Sequence, residues 1–198
     1  MTMQVQFKDP TLASTIRIES MPMADFEQFV KDNPTLRCER TAEGQVLVMP
    51  PTGGFSGYYE LKVGSKLDRW SEKNGGMTFS SSTGFFLSPG EVRSPHASWI
   101  NAEKAEAFLK ADEDGFVKFV PDFVIEVKSK TDSPADLQDK MLRYLDRGVT
   151  AGWLIDPYGD TAYAYRNGHE VRTVAMTDML SEPEVLPGFE LDLKLFKR

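Results

Sequence analysis

A strand, a helix and a second strand that follow one another between residues 119 and 155 constrain the fold more than any other feature of this chain. Residues 119–129 (FVPDFVIEVKS) predict the first strand, because Phe123, Ile125 and Val127 alternate along it and so share one face. The opposite face carries Val124 and three charged residues, Asp122, Glu126 and Lys128. The strand therefore presents one apolar face and one face that bears charges.

The helix after this strand is well specified at both ends. Ser133 is a good N-cap, Pro134 suits the first helical position, and Gly148 follows the predicted end. The residues of its buried stripe are Leu137, Met141, Tyr144 and Leu145. Residues 151–155 (AGWLI) form a short apolar run, which is typical of a strand covered on both faces.

Further helices and strands are predicted on both sides of this unit. Apolar periodicity and turn residues predict helices over residues 23–32, 56–73 and 103–110. Strands are predicted over 36–41, 45–49, 92–100, 161–166 and 170–174, in an interrupted stretch over 77–87, and in a closing edge over 185–196. The chain is therefore expected to be an α/β protein with additional strands near both termini.

Length and composition indicate an ordinary globular protein. A chain of 198 residues suits one domain with elaborations, and we expect an N-terminal arm over residues 1–22 and a single domain over 23–198. The hydrophobic share of 40% and the charged share of 27% are far from those of disordered or fibrous chains.

The sequence points to a cytoplasmic protein. No apolar run approaches the roughly 18 residues that a membrane span needs, and the N-terminus lacks the pattern of a secretory signal. Cys38 is the single cysteine, which excludes an intramolecular disulfide and any cysteine-built metal site. A reducing compartment is the simplest expectation.

The formal net charge of −7 argues modestly against a dedicated nonspecific nucleic-acid coat, because counterion release requires a basic face. It does not exclude a nuclease, since an acidic metal site can lie inside a locally basic groove.

Glu126 and Lys128 form an acidic-x-lysine pair on the predicted strand. Side chains two residues apart project from the same face, about 6.6 Å apart along the backbone. A carboxylate there can bind a hard divalent cation, and the ammonium group can position water or stabilise charge that develops on a phosphoryl group. Alone this pair is a weak signal, because Glu and Lys alternate on many solvated strands.

Three longer runs make a resemblance specific. The run PDFVIEVKSKTDSPADLQDKMLRYLDRGVTAGWLIDP, preceded by STGFFLSPGEVRSPHASWI and closed by VLPGFELDL, resembles the Uma2 family of restriction-endonuclease-like proteins. This family is similar to the PD-(D/E)xK nucleases, and the resemblance extends over residues 23–196 with the order of elements intact. It implies a restriction-endonuclease-like core, with a mixed central β-sheet flanked by helices, and Mg²⁺- or Mn²⁺-dependent hydrolysis of DNA.

The resemblance also implies roles for individual residues. Glu126 and Lys128 stand at the (D/E)xK positions, as metal ligand and as the lysine that assists the reaction. The family pattern S-P-D-A-x-W places the second metal carboxylate where this chain has His96. Asp122 is a poor substitute, because four strand residues separate it from Glu126 by about 13 Å. A neutral imidazole suits Mn²⁺ or softer ions better than Mg²⁺, so weaker metal binding or lost activity is expected.

Two further residues are candidates for the site. Lys140 lies beside the buried stripe of the helix that begins after Ser133, and the resemblance implies that a helix lysine there can support or replace the strand lysine. Glu60, on the predicted helix 56–73, is a candidate metal ligand. The resemblance implies this role, because an acidic residue of the first helix approaches the metal in some members of the superfamily. Each of them is also compatible with a solvated helix face.

Two functional hypotheses follow from these residues. The first is a metal-dependent endonuclease acting on DNA, with His96 and Glu126 as ligands and with Lys128 and Lys140 assisting. The second is a catalytically inactive protein of nuclease fold that binds nucleic acid or a protein partner, which His96 and the acidic composition favour. Edge strands and aromatic residues near the C-terminus further suggest a homodimer.

Overall fold

The computed structural model describes residues 5–6, 16–88, 90–111 and 115–197. The helices are α1 (Met23–Asp32), α2 (Gly54–Asn74), α3 (Ala102–Ala111) and α4 (Pro134–Asp146), with a 3-10 turn at Leu193–Phe196. The strands are β1 (Val5–Gln6), β2 (Ile16–Ile18), β3 (Arg37–Arg40), β4 (Val46–Met49), β5 (Met77–Ser80), β6 (Phe85–Ser88), β7 (Glu91–Arg93), β8 (Ala97–Ile100), β9 (Phe123–Val127), β10 (Ala151–Asp156), β11 (Thr161–Arg166), β12 (Arg172–Ala175), β13 (Met179–Ser181) and β14 (Glu190–Asp192). None of the helices in these residues is long and apolar enough to cross a membrane.

The central sheet has six strands in the order β12-β11-β10-β9-β8-β5. Strands β9 and β10 are parallel and are connected through α4, whereas β8 and β11 run antiparallel to their neighbours. All five residues of β9 and all six of β10 are buried, as expected of strands covered on both faces. The predicted mixed central sheet is confirmed.

Helices cover the two faces of this sheet as the alternation in β9 predicts. Phe123, Ile125 and Val127 pack in one cluster with the apolar stripe of α2, whereas Val124 packs on the other face with Met141 of α4. The N-terminus of α4 is capped as expected, since the hydroxyl of its N-cap accepts a hydrogen bond from a first-turn amide.

Gly152 in β10 allows α4 to approach the sheet closely. A Cβ atom at this position would lie 2.7 Å from the Cε of Met141 and 2.8 Å from a methyl carbon of Val124. A side chain would therefore push α4 outward, and α4 supplies residues of the site described below.

The other six-stranded sheet, called the first sheet below because its strands begin the chain, has the order β1-β2-β4-β3-β7-β6. Its apolar residues pack with α1 around Phe26, which is fully buried. The N-terminal arm predicted for residues 1–22 lies mostly outside the described residues; its described strands β1 and β2 pair with each other, and β2 also pairs with β4.

The prediction of a single strand over residues 92–100 is wrong, because two strands that belong to different sheets occupy this stretch. β7 ends at Arg93 in the first sheet, and β8 begins at Ala97 in the central sheet. Pro95 lies between them and has no amide hydrogen to donate to a strand partner, and the amide of Ser94 donates instead to the side chain of Glu39 at 2.9 Å. The chain therefore changes sheets immediately before His96.

Candidate functional site

Glu126 lies at the centre of the candidate site and is completely buried. It projects from β9 toward α4, where Lys140 and Tyr144 are one helical turn apart and both reach it. The Nζ of Lys140 lies 2.8 Å from Oε1 of Glu126, and the hydroxyl of Tyr144 donates a hydrogen bond of 2.9 Å to the same oxygen. A buried carboxylate requires such partners, since an isolated charge in an apolar interior is strongly disfavoured.

The register of the sheet brings His96 to the same carboxylate. Strands β8 and β9 are antiparallel and pair Ala97 with Ile125, so residue 96, immediately before β8, lies opposite Glu126. The Nδ1 of His96 lies 2.6 Å from Oε2 of Glu126, and its Nε2 lies 3.3 Å from Oε1 of Glu60 on α2. The imidazole ring thus stands between two carboxylates, with a different nitrogen directed at each.

The protonation state of Nδ1 follows from its two neighbours. The amide nitrogen of Val127 lies 3.2 Å from Nδ1, which would suit a neutral nitrogen that accepts a hydrogen bond. Oε2 of Glu126 is much closer, is buried, and receives no other hydrogen bond from the described residues. The contact with the carboxylate decides the matter, because a buried anionic oxygen needs a donor more than an amide needs an acceptor.

The charges around His96 agree with a protonated ring. Burial lowers the pKa of His96, but the carboxylates of Glu126 and Glu60 outweigh burial and raise it to about 9. Burial raises the pKa of Glu126, but Lys140 and His96 outweigh it and hold this pKa well below its usual range. At neutral pH the site therefore holds an imidazolium between two carboxylates.

Glu39 is a second buried acid at the site, and the sequence reasoning missed it. Its Oε1 accepts from the Nζ of Lys140 at 2.9 Å and from the amide of Ser94 at 2.9 Å, and its Oε2 lies 3.2 Å from Arg93. Only 3% of its side-chain surface is exposed. Nothing in the run RCER distinguishes a buried acid from one on a solvated strand.

A chain of ion pairs continues from Glu39 to the far end of α4. Arg93 also pairs with Glu91 at 2.9 Å, and the second oxygen of Glu91 accepts from Arg147 at 3.0 Å. Lys140 and Arg147 thereby attach α4 to strands β3 and β7. The first sheet consequently helps to hold the site residues of α4 in place.

Two of the predicted site residues lie elsewhere. The Nζ of Lys128 lies 3.1 Å from the carbonyl of Ser129 and 3.9 Å from a carboxylate oxygen of Asp156, beyond the end of β9. Asp122 accepts from the amide of Asn101 at 2.8 Å and pairs with Lys104 at 2.8 Å, so it fixes the start of α3. The structure therefore brings together Glu126, His96, Lys140 and Glu60, and it directs Lys128 and Asp122 to other partners.

An open cleft of about 530 Å³ gives access to the site. Its charged lining includes Arg37, Glu60, His96, Glu126, Lys130 and Lys140. The loop before α2 forms one wall, and the loop over residues 129–132 forms another. The cleft reaches His96, Lys140 and Glu60, whose side chains are 16%, 17% and 13% exposed, whereas Glu126 is completely buried.

The fit of a divalent cation can be judged from the donor atoms. Mg²⁺ requires near-octahedral coordination by oxygen atoms. Within the described residues, no three His, Cys, Asp or Glu side chains converge on a point that could hold a metal ion. Glu60 and Glu126 face opposite sides of the His96 ring, and Oε1 of Glu126 is already occupied by Lys140 and Tyr144. The arrangement fits a protonated imidazole and does not fit a hard divalent cation.

Comparison with solved structures shows the fold. A crystal structure of "a putative nuclease belonging to DUF820" from Anabaena variabilis ATCC 29413 matches with a TM-score of 0.71 and 20% identity, over 89% of this chain and 97% of that one. The restriction-endonuclease-like fold class is thus confirmed. A DrdV–DNA complex determined by electron cryomicroscopy matches with a TM-score of 0.38 and 20% identity, over 68% of this chain and 11% of that one.

Sequence comparison shows the family. No curated protein matches the chain. A family model described as "Uma2: Putative restriction endonuclease" matches residues 23–194, which include all the site residues described above. This chain belongs to the Uma2 family.

Proposed function

We propose that this chain binds nucleic acid through the cleft, without requiring a divalent cation, and that the sugar–phosphate backbone lies against Arg37 and Lys130 at its mouth. The observation that carries this proposal is the position of these two cations on the lining of the cleft. Lys130 is exposed and makes no ion pair with the described residues. The side chain of Arg37 is 19% exposed; its Nη2 donates to the carbonyl of Ser94 at 3.1 Å, and its Nη1 lies 4.0 Å from a carboxylate oxygen of Glu60. Phosphate oxygens are the groups that such donors bind most readily.

The start of α2 adds a second attraction for phosphate. Gly53 caps the helix without a side-chain hydrogen bond, and the first turn contains no acidic residue. Nothing lies within 4 Å of the positions that Cβ atoms of Gly53 and Gly54 would occupy, so a ligand can approach the backbone there. The first amide groups of a helix carry partial positive charge and favour anions.

The acidic balance of the whole molecule limits this binding to the cleft. The chain carries a net charge of −7, so most of its surface repels nucleic acid. We therefore expect binding that depends strongly on salt and involves few phosphates, since each neutralised phosphate contributes roughly one unit to the slope of log K against log salt.

Fluorescence anisotropy with labelled single-stranded and duplex DNA in EDTA tests the proposal. Lys130→Glu should weaken binding and reduce the salt slope by about one unit, because a phosphate contact is lost. Lys73→Glu is the matched control: it makes the same charge change on an exposed residue at the other end of α2, about 28 Å from Gly54. Absence of binding at low salt, or equal losses in the two variants, would exclude the cleft as a nucleic-acid site.

Metal-dependent hydrolysis of DNA is the second candidate function. It is favoured by the description of the family, although the donor atoms of this site do not fit a hard divalent cation. Incubation of supercoiled plasmid with the protein and Mn²⁺ or Mg²⁺ tests it, with Glu126→Gln as control. Cleavage by the native chain that the variant lacks would establish this function, and equal nicking by both would indicate a contaminating nuclease.

A further inference from the structure

Glu126 has a second charged partner in His96, because its first, Lys140, is shared with another carboxylate. Lys140 is shared between Glu39 and Glu126, and Arg93 is shared between Glu39 and Glu91. Oε2 of Glu126 has no described donor apart from the nitrogen 2.6 Å away in the His96 ring. Without a proton on Nδ1 of His96, this fully buried carboxylate oxygen would have no donor among the described residues.

The ring of His96 is also the nearest charged neighbour of the Glu60 carboxylate. Its other charged neighbour is Arg37, whose Nη1 is 4.0 Å away, at the limit of a direct ion pair. The Nε2 of His96 is nearer, at 3.3 Å, and Thr52 donates a hydrogen bond of 3.2 Å to the same carboxylate oxygen. Because Glu60 lies in α2 and Glu126 in β9, one ring connects the start of a helix to the central strand.

We propose that His96 is the built-in cation of this site: its imidazolium holds Glu60 and Glu126 together, and a divalent metal ion is not needed to do so. A bridging metal ion would satisfy two carboxylates in the same way, but the ring already occupies the space between them. The site of this chain is thus complete without metal, and changing residue 96 to a carboxylate would create a requirement for a divalent cation. This inference stands on the geometry of the site and does not depend on the proposed binding of nucleic acid.

Thermal unfolding of three proteins, each in EDTA, in Mg²⁺ and in Mn²⁺, tests the inference. The unfolding temperature of the native chain should be the same in all three solutions. His96→Asp should unfold at a lower temperature in EDTA, since it replaces a cation with a third carboxylate, and saturating Mn²⁺ should raise that temperature. His96→Asn, which supplies neither charge, should be destabilised in all three solutions and should not respond to metal.

Direct Mn²⁺ binding gives a second readout. Electron paramagnetic resonance of free Mn²⁺ should show that His96→Asp binds the ion at least about tenfold more tightly than the native chain, because a carboxylate ligand has replaced a cation. Equal affinities of the native chain and of the folded variant would overturn the inference. So would a native chain that Mg²⁺ stabilises at neutral pH.

Chemical rescue keeps the inference testable if His96→Asp does not fold. In His96→Ala, added imidazole should raise the unfolding temperature because its protonated form can enter the vacated space between Glu60 and Glu126. 1,2,4-Triazole is a ring of the same shape that stays neutral, and it should have little effect. Equal rescue by both rings would show that the site needs the shape of the ring and not its charge, which would contradict the inference.

Discussion

His96 makes the stability of the folded chain depend on pH. The folded-state pKa of His96 is raised to about 9 from an ordinary value of 6.5, so the contribution of its ion pairs is fully present below pH 6.5 and is lost as the pH rises through 9. The lost free energy of unfolding should reach about 3 kcal/mol, at roughly 1.4 kcal/mol per pH unit. Urea unfolding at pH 6 and pH 9.5 measures this loss.

His96→Asn is the control for this prediction. The variant retains every other titrating group, so the difference between its pH dependence and that of the native chain isolates His96. Glu126 acts at the opposite end of the pH range: its pKa is lowered, so its contribution is present above its ordinary value of 4.5 and is lost as the pH falls below it. Parallel curves for the native chain and for His96→Asn between pH 6.5 and 9 would contradict the account of His96.

One contact of the site could be predicted from the sequence, and the positions of two other residues could not. The adjacency of positions 96 and 126 follows from strand pairing and could be anticipated. The direction of Lys128 could not, because β9 ends at Val127 and the side chain turns toward Asp156. The role of Glu39 could not be anticipated either, since its partners Arg93 and Lys140 are 54 and 101 residues away in the sequence.

At the scale of elements, Gly152 sets the distance between α4 and the central sheet. Gly152→Ala would place a Cβ atom 2.7 Å from Met141, so α4 would have to move outward and Lys140 with it. We expect the free energy of unfolding to fall by about 1–3 kcal/mol, the usual cost of overpacking a core. Urea unfolding measures this change.

Gly64→Ala provides the matched control in α2. Nothing lies within 4 Å of a Cβ atom at this position, and Gly64 is within a regular helix. The substitution should stabilise the chain by about 0.5–1 kcal/mol, because alanine favours the helical conformation more than glycine does. A loss of stability in both variants would show that the response at Gly152 is not specific to the packing of α4.

The elements that local sequence specifies were the ones predicted well. The caps of α4, the alternation in β9 and the apolar run of β10 are properties of consecutive residues, and the structure confirms all three. The division of residues 92–100 between two sheets was missed because its cause is distant in sequence. The amide of Ser94 turns to Glu39, which is 55 residues away.

At the scale of the whole molecule, buried ion pairs join the two large sheets around the cleft. Glu39 and Arg93 belong to strands of the first sheet, Glu126 belongs to the central sheet, and Lys140 connects them. Such a network is costly to break at one point, because each remaining charge is then left buried without its partner. The cleft therefore has a charged floor that several ion pairs hold together, and Arg37 and Lys130 lie on its lining. The homodimer suggested by the sequence stays a prediction, which light scattering can check.

The charge of the His96 ring at neutral pH tests the central claim most directly. The chain contains two histidines, so nitrogen-15 labelling of histidine followed by nuclear magnetic resonance yields few signals, and the variant His169→Asn assigns them. At pH 7.5 both ring nitrogens of His96 should show the chemical shifts of protonated nitrogen, and saturating Mg²⁺ should leave them unchanged. A neutral ring at this pH, or ring signals that move or broaden when Mg²⁺ or Mn²⁺ binds at the site, would contradict the claim that His96 is the cation of this site.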